Sequence, residues 1–124
     1  MGRKAVTANG LHAAGPYSHA IDAGDLVFLS GKTGTDAGGK LAAGGIGPET
    51  TQTFANLKVV LTAAGLSFDH AVKCNVYLTD MGDFQAMNKI YAEHFKKPEP
   101  ARTTVAVAAL PGGAKVEIEM VAKK

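Results

Sequence analysis

The sequence predicts an α+β fold in which two helices pack on one face of a mixed β-sheet, with residues 1–124 forming a single domain. Two segments carry apolar residues at helical spacing, and strand-like segments flank them in the order strand pair, helix, strand, helix, strand pair. The composition, 46% hydrophobic and 19% charged, is that of a globular protein. A chain of 124 residues can bury a core without a disulfide or a structural metal.

The first two strands form a predicted hairpin. Residues 18–22 and 26–30 flank Ala23-Gly24-Asp25, a composition typical of a tight turn. Residues 26–29 are apolar without alternation, which predicts that both faces of this strand are covered. Residues 36–47 follow as a glycine-rich loop that lacks the lysine-serine or lysine-threonine ending of a phosphate-binding loop.

Each of the two helices has recognisable end signals. Pro48 suits the first position of one helix and Gly65 its C-terminal stop. The predicted buried stripe of this helix is Phe54, Leu57, Val60, Leu61 and Ala64. Asp83 is the predicted N-cap of the second helix, which extends to about Phe95. Its predicted buried stripe is Phe84, Met87, Ile90 or Tyr91, and Phe95.

The remaining strands alternate. In residues 71–79 the core face is predicted to carry Val72, Cys74, Val76 and Leu78, and the other face Lys73, Asn75, Tyr77 and Thr79. This alternation makes Cys74 an inert core residue. Residues 103–109 and 115–122 form the last predicted strands, with a turn at Pro111-Gly112-Gly113. In the last strand Val116, Ile118 and Met120 face one side and Glu117 and Glu119 the other.

The predicted architecture leaves one face of the sheet without helices. Since that face is expected to carry many apolar residues, the sequence predicts a homo-oligomer.

Composition and spacing argue against several functions. A net charge of +2, with basic residues scattered in pairs, does not favour nucleic-acid binding. The four histidines have no metal-ligand spacing, so we expect no metal site, and neither a dinucleotide fingerprint nor a nucleophile elbow is present. The sequence has one cysteine, no apolar stretch of membrane-spanning length and no apolar signal core, which favours the cytoplasm.

Arg102 is the leading candidate for a functional residue. It is the only arginine after Arg3, and it follows two prolines at the start of a β-rich segment. A guanidinium is a rigid planar fork that matches a carboxylate better than a lysine does. The alternative is a surface arginine at the start of a strand.

A small anionic ligand would suit the other candidate residues. Gly31 allows a ligand to approach its backbone, and Glu117 is expected on a strand paired beside Arg102, where it can orient water and exchange protons. Exposed strand-face carboxylates are the alternative for Glu117 and Glu119, and a packing aromatic in a turn is the alternative for Tyr17.

A series of motifs runs in order along nearly the whole chain. They are Gly15-Pro16-Tyr17-Ser18-His19-Ala20, Leu29-Ser30-Gly31, Asp80-Met81-Gly82-Asp83-Phe84, Asn88, Tyr91, Phe95, Leu110-Pro111 and Val116-Glu117-Ile118-Glu119. Together they resemble the RidA/YjgF family of reactive-intermediate (enamine/imine) deaminases. The resemblance implies a chorismate-mutase-like fold and a homotrimer with a central barrel, whose sites lie in clefts between subunits.

The resemblance also implies an activity without cofactor: hydrolysis of 2-aminoacrylate, or its tautomer 2-iminopropionate, to pyruvate and ammonia. It makes Arg102 the carboxylate clamp and Glu117 the residue that positions water. Its implied substrate-binding residues are Tyr17, Ser30, Gly31, Phe84, Asn88 and Thr104. Two other readings stay open, a non-catalytic trimer that binds 2-oxo acids and an RNA-directed translation inhibitor.

Three positions depart from the family pattern. Thr104 stands where many members have cysteine, and its backbone amide and hydroxyl can still bind ligand or water. Lys32 and His19 stand where glutamine is frequent. Lys32 adds a positive charge near the expected site, so these departures leave the reaction class intact and open the question of substrate.

Overall fold

A computed structural model describes residues 2–124 and confirms the α+β architecture. Within those residues, a single mixed sheet has the order β1-β2-β3-β6-β4-β5, with β4 and β5 parallel and the other neighbours antiparallel. The strands are β1 (Lys4–Val6), β2 (Ala20–Asp22), β3 (Leu26–Lys32), β4 (Ala71–Leu78), β5 (Ala101–Ala106) and β6 (Val116–Lys123). The helices are α1 (Ile46–Ala63) and α2 (Phe84–Ala92).

The core lies between the helices and one face of the sheet. Four of the five predicted stripe residues of α1 are fully buried, namely Phe54, Leu57, Val60 and Leu61, whereas Ala64 follows the last helical residue and is only partly buried. From the sheet side, β6 contributes Val116, Ile118 and Met120 as predicted. Both helices therefore pack on the same face of the sheet.

The ends of α1 follow from glycine conformations. Gly65 has φ +76° and Leu66 N donates to Leu61 O at 2.8 Å, which confirms Gly65 as the C-terminal stop. The helix begins at Ile46, two residues before the predicted start at Pro48, because Gly45 adopts φ +91° at the N-cap position.

Two sequence predictions were wrong in detail. Val72 is 43% exposed, because a register shift between Ala71 and Lys73 in the pairing of β4 with β6 turns it out of the core. Asp83 makes no side-chain cap; a short 3-10 turn precedes α2, so the capping side chain is that of Asp80, which accepts from Gly82 N at 2.8 Å.

Several boundaries differ from the predicted ones. Strand β5 begins at Ala101 and ends at Ala106 rather than Ala109, and α2 ends at Ala92 rather than near Phe95. The edge strand β1 was not predicted, because three residues that include an exposed lysine carry no readable alternation.

The sheet face opposite the helices is open in a single chain. Phe28 is 46% exposed, so the prediction that β3 is covered on both faces does not hold within one copy. The open face is also more polar than expected, because Glu119 accepts hydrogen bonds there from Asn75 and Tyr77, and Lys73 donates to Thr103.

Neither helix of residues 2–124 combines the length and the apolar character that crossing a membrane requires.

The contact between Gly34 and the first turn of α1 leaves no room for a side chain. A Cβ on Gly34 would lie 2.5 Å from Glu49 O and 2.7 Å from Glu49 Cα. We expect Gly34→Ala to cost about 1–3 kcal/mol of unfolding free energy in urea denaturation. In Gly47→Ala, the matched control, the added Cβ would meet only Ile90 Cδ1 at 3.9 Å. Equal stability of the two variants would contradict this packing.

His94 links stability to pH. Its ring stacks on Phe54 with centroids 4.0 Å apart, and burial lowers its pKa. Because the unfolded chain then binds more protons, stability is lost as the pH falls through about 6.5. His94→Phe, which can preserve the stack, should lose less stability than the wild type between about pH 8 and pH 5 in thermal melts. Identical losses of stability in the variant and the wild type would contradict the assignment to His94. A residual pH dependence of stability in the variant comes from His19, whose pKa is also lowered.

Candidate functional site

A cavity of about 500 Å³ lies where β3 ends and β6 begins, beside the loops that precede β2 and α1. Its wall brings together four predicted site residues, Tyr17, Ser30, Gly31 and Glu117. It also includes His12 and Lys32. Residues from distant parts of the sequence meet here because β6 pairs with β3 along the middle of the sheet.

Ser30 and Gly31 shape one wall of the cavity. Ser30 Oγ donates to Ser18 O at 2.6 Å, which ties the end of β3 to the segment before β2. A Cβ on Gly31 would lie 2.9 Å from Glu117 Cδ. The absence of a side chain at Gly31 therefore makes space for the Glu117 carboxylate.

The two carboxylates of β6 have different environments. Glu119 accepts from Tyr77 Oη at 2.7 Å and from Asn75 Nδ2 at 3.0 Å, so its charge has partners in the sheet. Among the residues that the structure describes, no side chain or backbone amide donates to Glu117. Burial and, secondarily, the Glu119 charge raise the pKa of Glu117, while Lys32 opposes the rise. Glu117 is thus the carboxylate available to a ligand or a water.

Lys32, which lines the cavity, contacts the partly exposed His19. Lys32 is 5% exposed, and its Nζ lies 2.6 Å from His19 Nδ1 and 5.4 Å from the centroid of the Tyr17 ring. Burial lowers the pKa of Lys32 to about 8, although the Glu117 charge opposes this change. Burial and the Lys32 charge both lower the pKa of His19.

Arg102 lies elsewhere, on the edge strand β5. Its Nη1 donates to Asn88 Oδ1 at 2.8 Å, and its Cζ lies 4.7 Å from the centroid of Tyr91 and 5.6 Å from that of Phe84. No carboxylate of residues 2–124 lies within 4.0 Å of the guanidinium. Arg102 is therefore held in a fixed orientation by neutral groups, with its charge unpaired.

Two buried hydroxyls lie on the elements that surround Arg102, one on β5 and one on α2. Within the described part of the chain, Thr104 Oγ1 and Tyr91 Oη have no hydrogen-bond partner. The Tyr91 hydroxyl lies beside the thiol of Cys74, and burial raises the pKa of both groups. Cys74 is fully buried, as expected for a core residue.

A single chain does not bring Arg102 and Glu117 together. The expectation that Glu117 lies on a strand paired beside Arg102 was wrong, because β4 separates β6 from β5. Arg102 is paired with the buried Cys74 and contacts α2, so it lies on the helix-covered face. Glu117, paired with Tyr77, lies on the open face.

Sequence reasoning missed two features of these sites. Tyr91 was assigned only to the core, although Phe84, Asn88 and Tyr91 are spaced four and then three residues apart and so share one helix face. That spacing was the available signal for a surface that holds Arg102. The predicted hairpin placed the segment around His19 beside β3, but its side-chain contact with Lys32 also depends on the register shift between Leu29 and Lys32, which the sequence did not signal.

No three histidine, cysteine, aspartate or glutamate side chains within residues 2–124 are grouped as a metal site would require.

Comparisons with known proteins match nearly the whole chain. A family model described as endoribonuclease L-PSP matches residues 7–124. The human 2-iminobutanoate/2-iminopropanoate deaminase is 43% identical over 117 residues, covering 94% of this chain and 85% of the relative. Protein DfrA of Myxococcus xanthus is 44% identical over 126 residues, covering 98% and 96%. The crystal structure of RidA from an Antarctic Psychrobacter superimposes with a TM-score of 0.90 at 38% identity, covering 100% of this chain and 99% of that one.

Proposed function

We propose that this chain, which belongs to the endoribonuclease L-PSP (RidA/YjgF) family, hydrolyses small 2-imino acids and their enamine tautomers. The substrates are 2-aminoacrylate, its tautomer 2-iminopropionate and similar compounds, and the products are a 2-oxo acid and ammonia. The observation that carries the proposal is the unpaired, rigidly held guanidinium of Arg102. Relatives named 2-iminobutanoate/2-iminopropanoate deaminase support the substrate class.

Arg102 binds the substrate carboxylate in this proposal. The contacts with Asn88, Tyr91 and Phe84 fix the plane of the guanidinium without neutralising it. A carboxylate then gains a two-point, charge-assisted contact at a side chain that is already ordered. Thr104 follows Arg102 by two residues on β5 and so shares its face of the sheet, and its buried hydroxyl lacks a hydrogen-bond partner within residues 2–124.

Glu117 positions the attacking water. Water adds to the imine carbon as its nitrogen takes up a proton, and the resulting carbinolamine then loses ammonia as its C–N bond breaks. Glu117 holds a proton more tightly than an exposed glutamate, because burial raises its pKa. It can therefore accept a proton from the water and return it later in the reaction. Tyr17, Ser30 and Gly31 shape the cavity around it.

We propose that the complete site combines two copies of the chain in a homotrimer. Arg102 and Glu117 lie on different faces of one sheet, so a substrate that contacts both needs Arg102 from one copy and Glu117 from another. The open sheet face, where Phe28 and Val105 are exposed, is the surface that copies would cover. Three copies is the number that the family resemblance implies.

The guanidinium geometry predicts the effect of Arg102→Lys. This change keeps the positive charge and loses the planar fork, so we expect kcat/KM to fall by about 10²-fold or more. The assay generates 2-aminoacrylate in situ from serine and follows its disappearance. Lys89→Gln, a change at an exposed residue of α2, is the control for a general loss of positive charge. Near-normal turnover of Arg102→Lys would contradict the carboxylate clamp.

Glu117→Gln separates binding from turnover. The amide cannot accept the proton of the attacking water, so kcat should fall by about 10²-fold or more while affinity for a 2-oxo acid, measured by calorimetry, changes little. Equal loss of both would mean that Glu117 only shapes the cavity. If the wild type binds the 2-oxo acid and does not accelerate loss of 2-aminoacrylate, the chain is a binding protein and not a deaminase.

A further inference from the structure

Two departures from the family pattern contact each other. His19 and Lys32 are thirteen positions apart in the sequence, and pairing of β2 with β3 places Lys32 Nζ 2.6 Å from His19 Nδ1. A shift in the pairing of β3 with β6 between Leu29 and Lys32 turns the end of β3 beside the cavity. The two substitutions therefore act as one structural unit, in which Lys32 lines the cavity that holds Glu117 and His19 lies behind Lys32.

The chemistry of the pair fixes its proton arrangement when Lys32 is charged. An ammonium has three donors and no acceptor, so His19 Nδ1 must accept from Lys32. The imidazole is then neutral and carries its proton on Nε2. Lys32 is almost fully buried whereas His19 is partly exposed, so the pair joins the interior of the wall to solvent.

The groups around Lys32 favour loss of the proton from its ammonium group. Its surroundings are His19, the face of the Tyr17 ring and, farther away, the Glu117 carboxylate. Glu119 lines the same cavity, but Tyr77 and Asn75 donate to it. His12, in the loop before β2, also lines this cavity. No carboxylate of residues 2–124 lies within 4.0 Å of Lys32 Nζ. A buried ammonium without a direct counter-ion is a stronger acid than an exposed one.

We propose that Lys32 is the general acid of the imine hydrolysis and that His19 relays protons to it from solvent. The inference rests on the proposed function and adds a catalytic residue and a positioning residue to it. Lys32 lines the cavity that holds Glu117, so the proton donor and the water-positioning carboxylate approach the substrate from one copy of the chain.

The steps balance without any further reagent. Lys32 Nζ gives a proton to the imine nitrogen while Glu117 takes one from the attacking water, which leaves a neutral amine on the carbinolamine carbon. The Glu117 proton then moves to this amine, ammonia leaves as the carbinolamine O–H proton passes to Glu117, and Glu117 releases that proton to solvent. Once Lys32 is neutral, exchange with water moves the His19 proton from Nε2 to Nδ1, which then donates to the Lys32 amine. As Nε2 accepts a proton from solvent, Nδ1 gives its proton to Lys32, which restores the ammonium and the Nε2–H tautomer.

The burial of Lys32 sets the expected pH dependence. Because burial lowers the pKa of Lys32 to about 8, the donor form is present below that pH and lost above it. We expect kcat of the wild type to fall as the pH rises through about 8.

The test replaces the pair by two amides, Lys32→Gln with His19→Gln, which can hydrogen-bond each other but cannot relay a proton. We expect the decline of kcat near pH 8 to disappear in this variant, because neither amide titrates there. Lys40→Gln, at an exposed residue of the adjoining loop, is the matched control and should keep the wild-type profile.

The outcomes separate this inference from the proposed function. If the wild type hydrolyses the imine and the double variant has the same kcat and the same pH profile, the relay is overturned and the deaminase assignment stands. Absence of turnover in the wild type overturns both. Nitrogen NMR of His19 gives a readout besides activity: Nδ1 should respond to a titration near pH 8 that Lys32→Gln abolishes. No such response overturns the pairing, even if the double variant folds poorly.

Discussion

The position of β6 between β3 and β4 is the constraint on which the placement of Glu117 and Arg102 depends. It brings Glu117 beside the end of β3, where Gly31 leaves room for the carboxylate. Because β6 occupies one side of β4, β5 pairs with the other side and lies at the edge of the sheet. Its parallel pairing with β4 places Arg102 beside α2. One topological fact therefore produces a carboxylate site on the open face and a guanidinium site on the covered face.

The environments of Arg102 and Glu117 differ in opposite ways: the first holds an unpaired positive charge, and the second disfavours charge. Around Arg102 the neighbours are an amide and two aromatic rings, which orient a positive charge and leave it unpaired. Around Glu117, burial raises the pKa of the carboxyl and lowers that of Lys32, so both groups are displaced toward their neutral forms. A substrate with a carboxylate at one end and an imine at the other complements both environments, which is why we favour imine hydrolysis.

Much of the fold could be predicted from the sequence because its signals are local. The apolar stripe of α1, the alternation of β6 and the stop at Gly65 each depend on residues within a few turns or strand positions. Val72 and Asp83 were mispredicted because a bulge and a 3-10 turn each changed the local geometry. The order of the strands could not be predicted from local signals, and neither could the separation of Arg102 from Glu117 that follows from it.

Mixed assemblies of two variants test the central claim most directly, that Arg102 and Glu117 of different copies make one site. Arg102→Ala and Glu117→Gln would be co-expressed with different tags, and the mixed oligomers purified and verified by native mass spectrometry. Each variant alone should be inactive. In each purified mixed trimer one of the three clefts should join an intact Arg102 to an intact Glu117 of another copy, restoring about a third of wild-type turnover. Mixed oligomers as inactive as the separate variants would contradict the account.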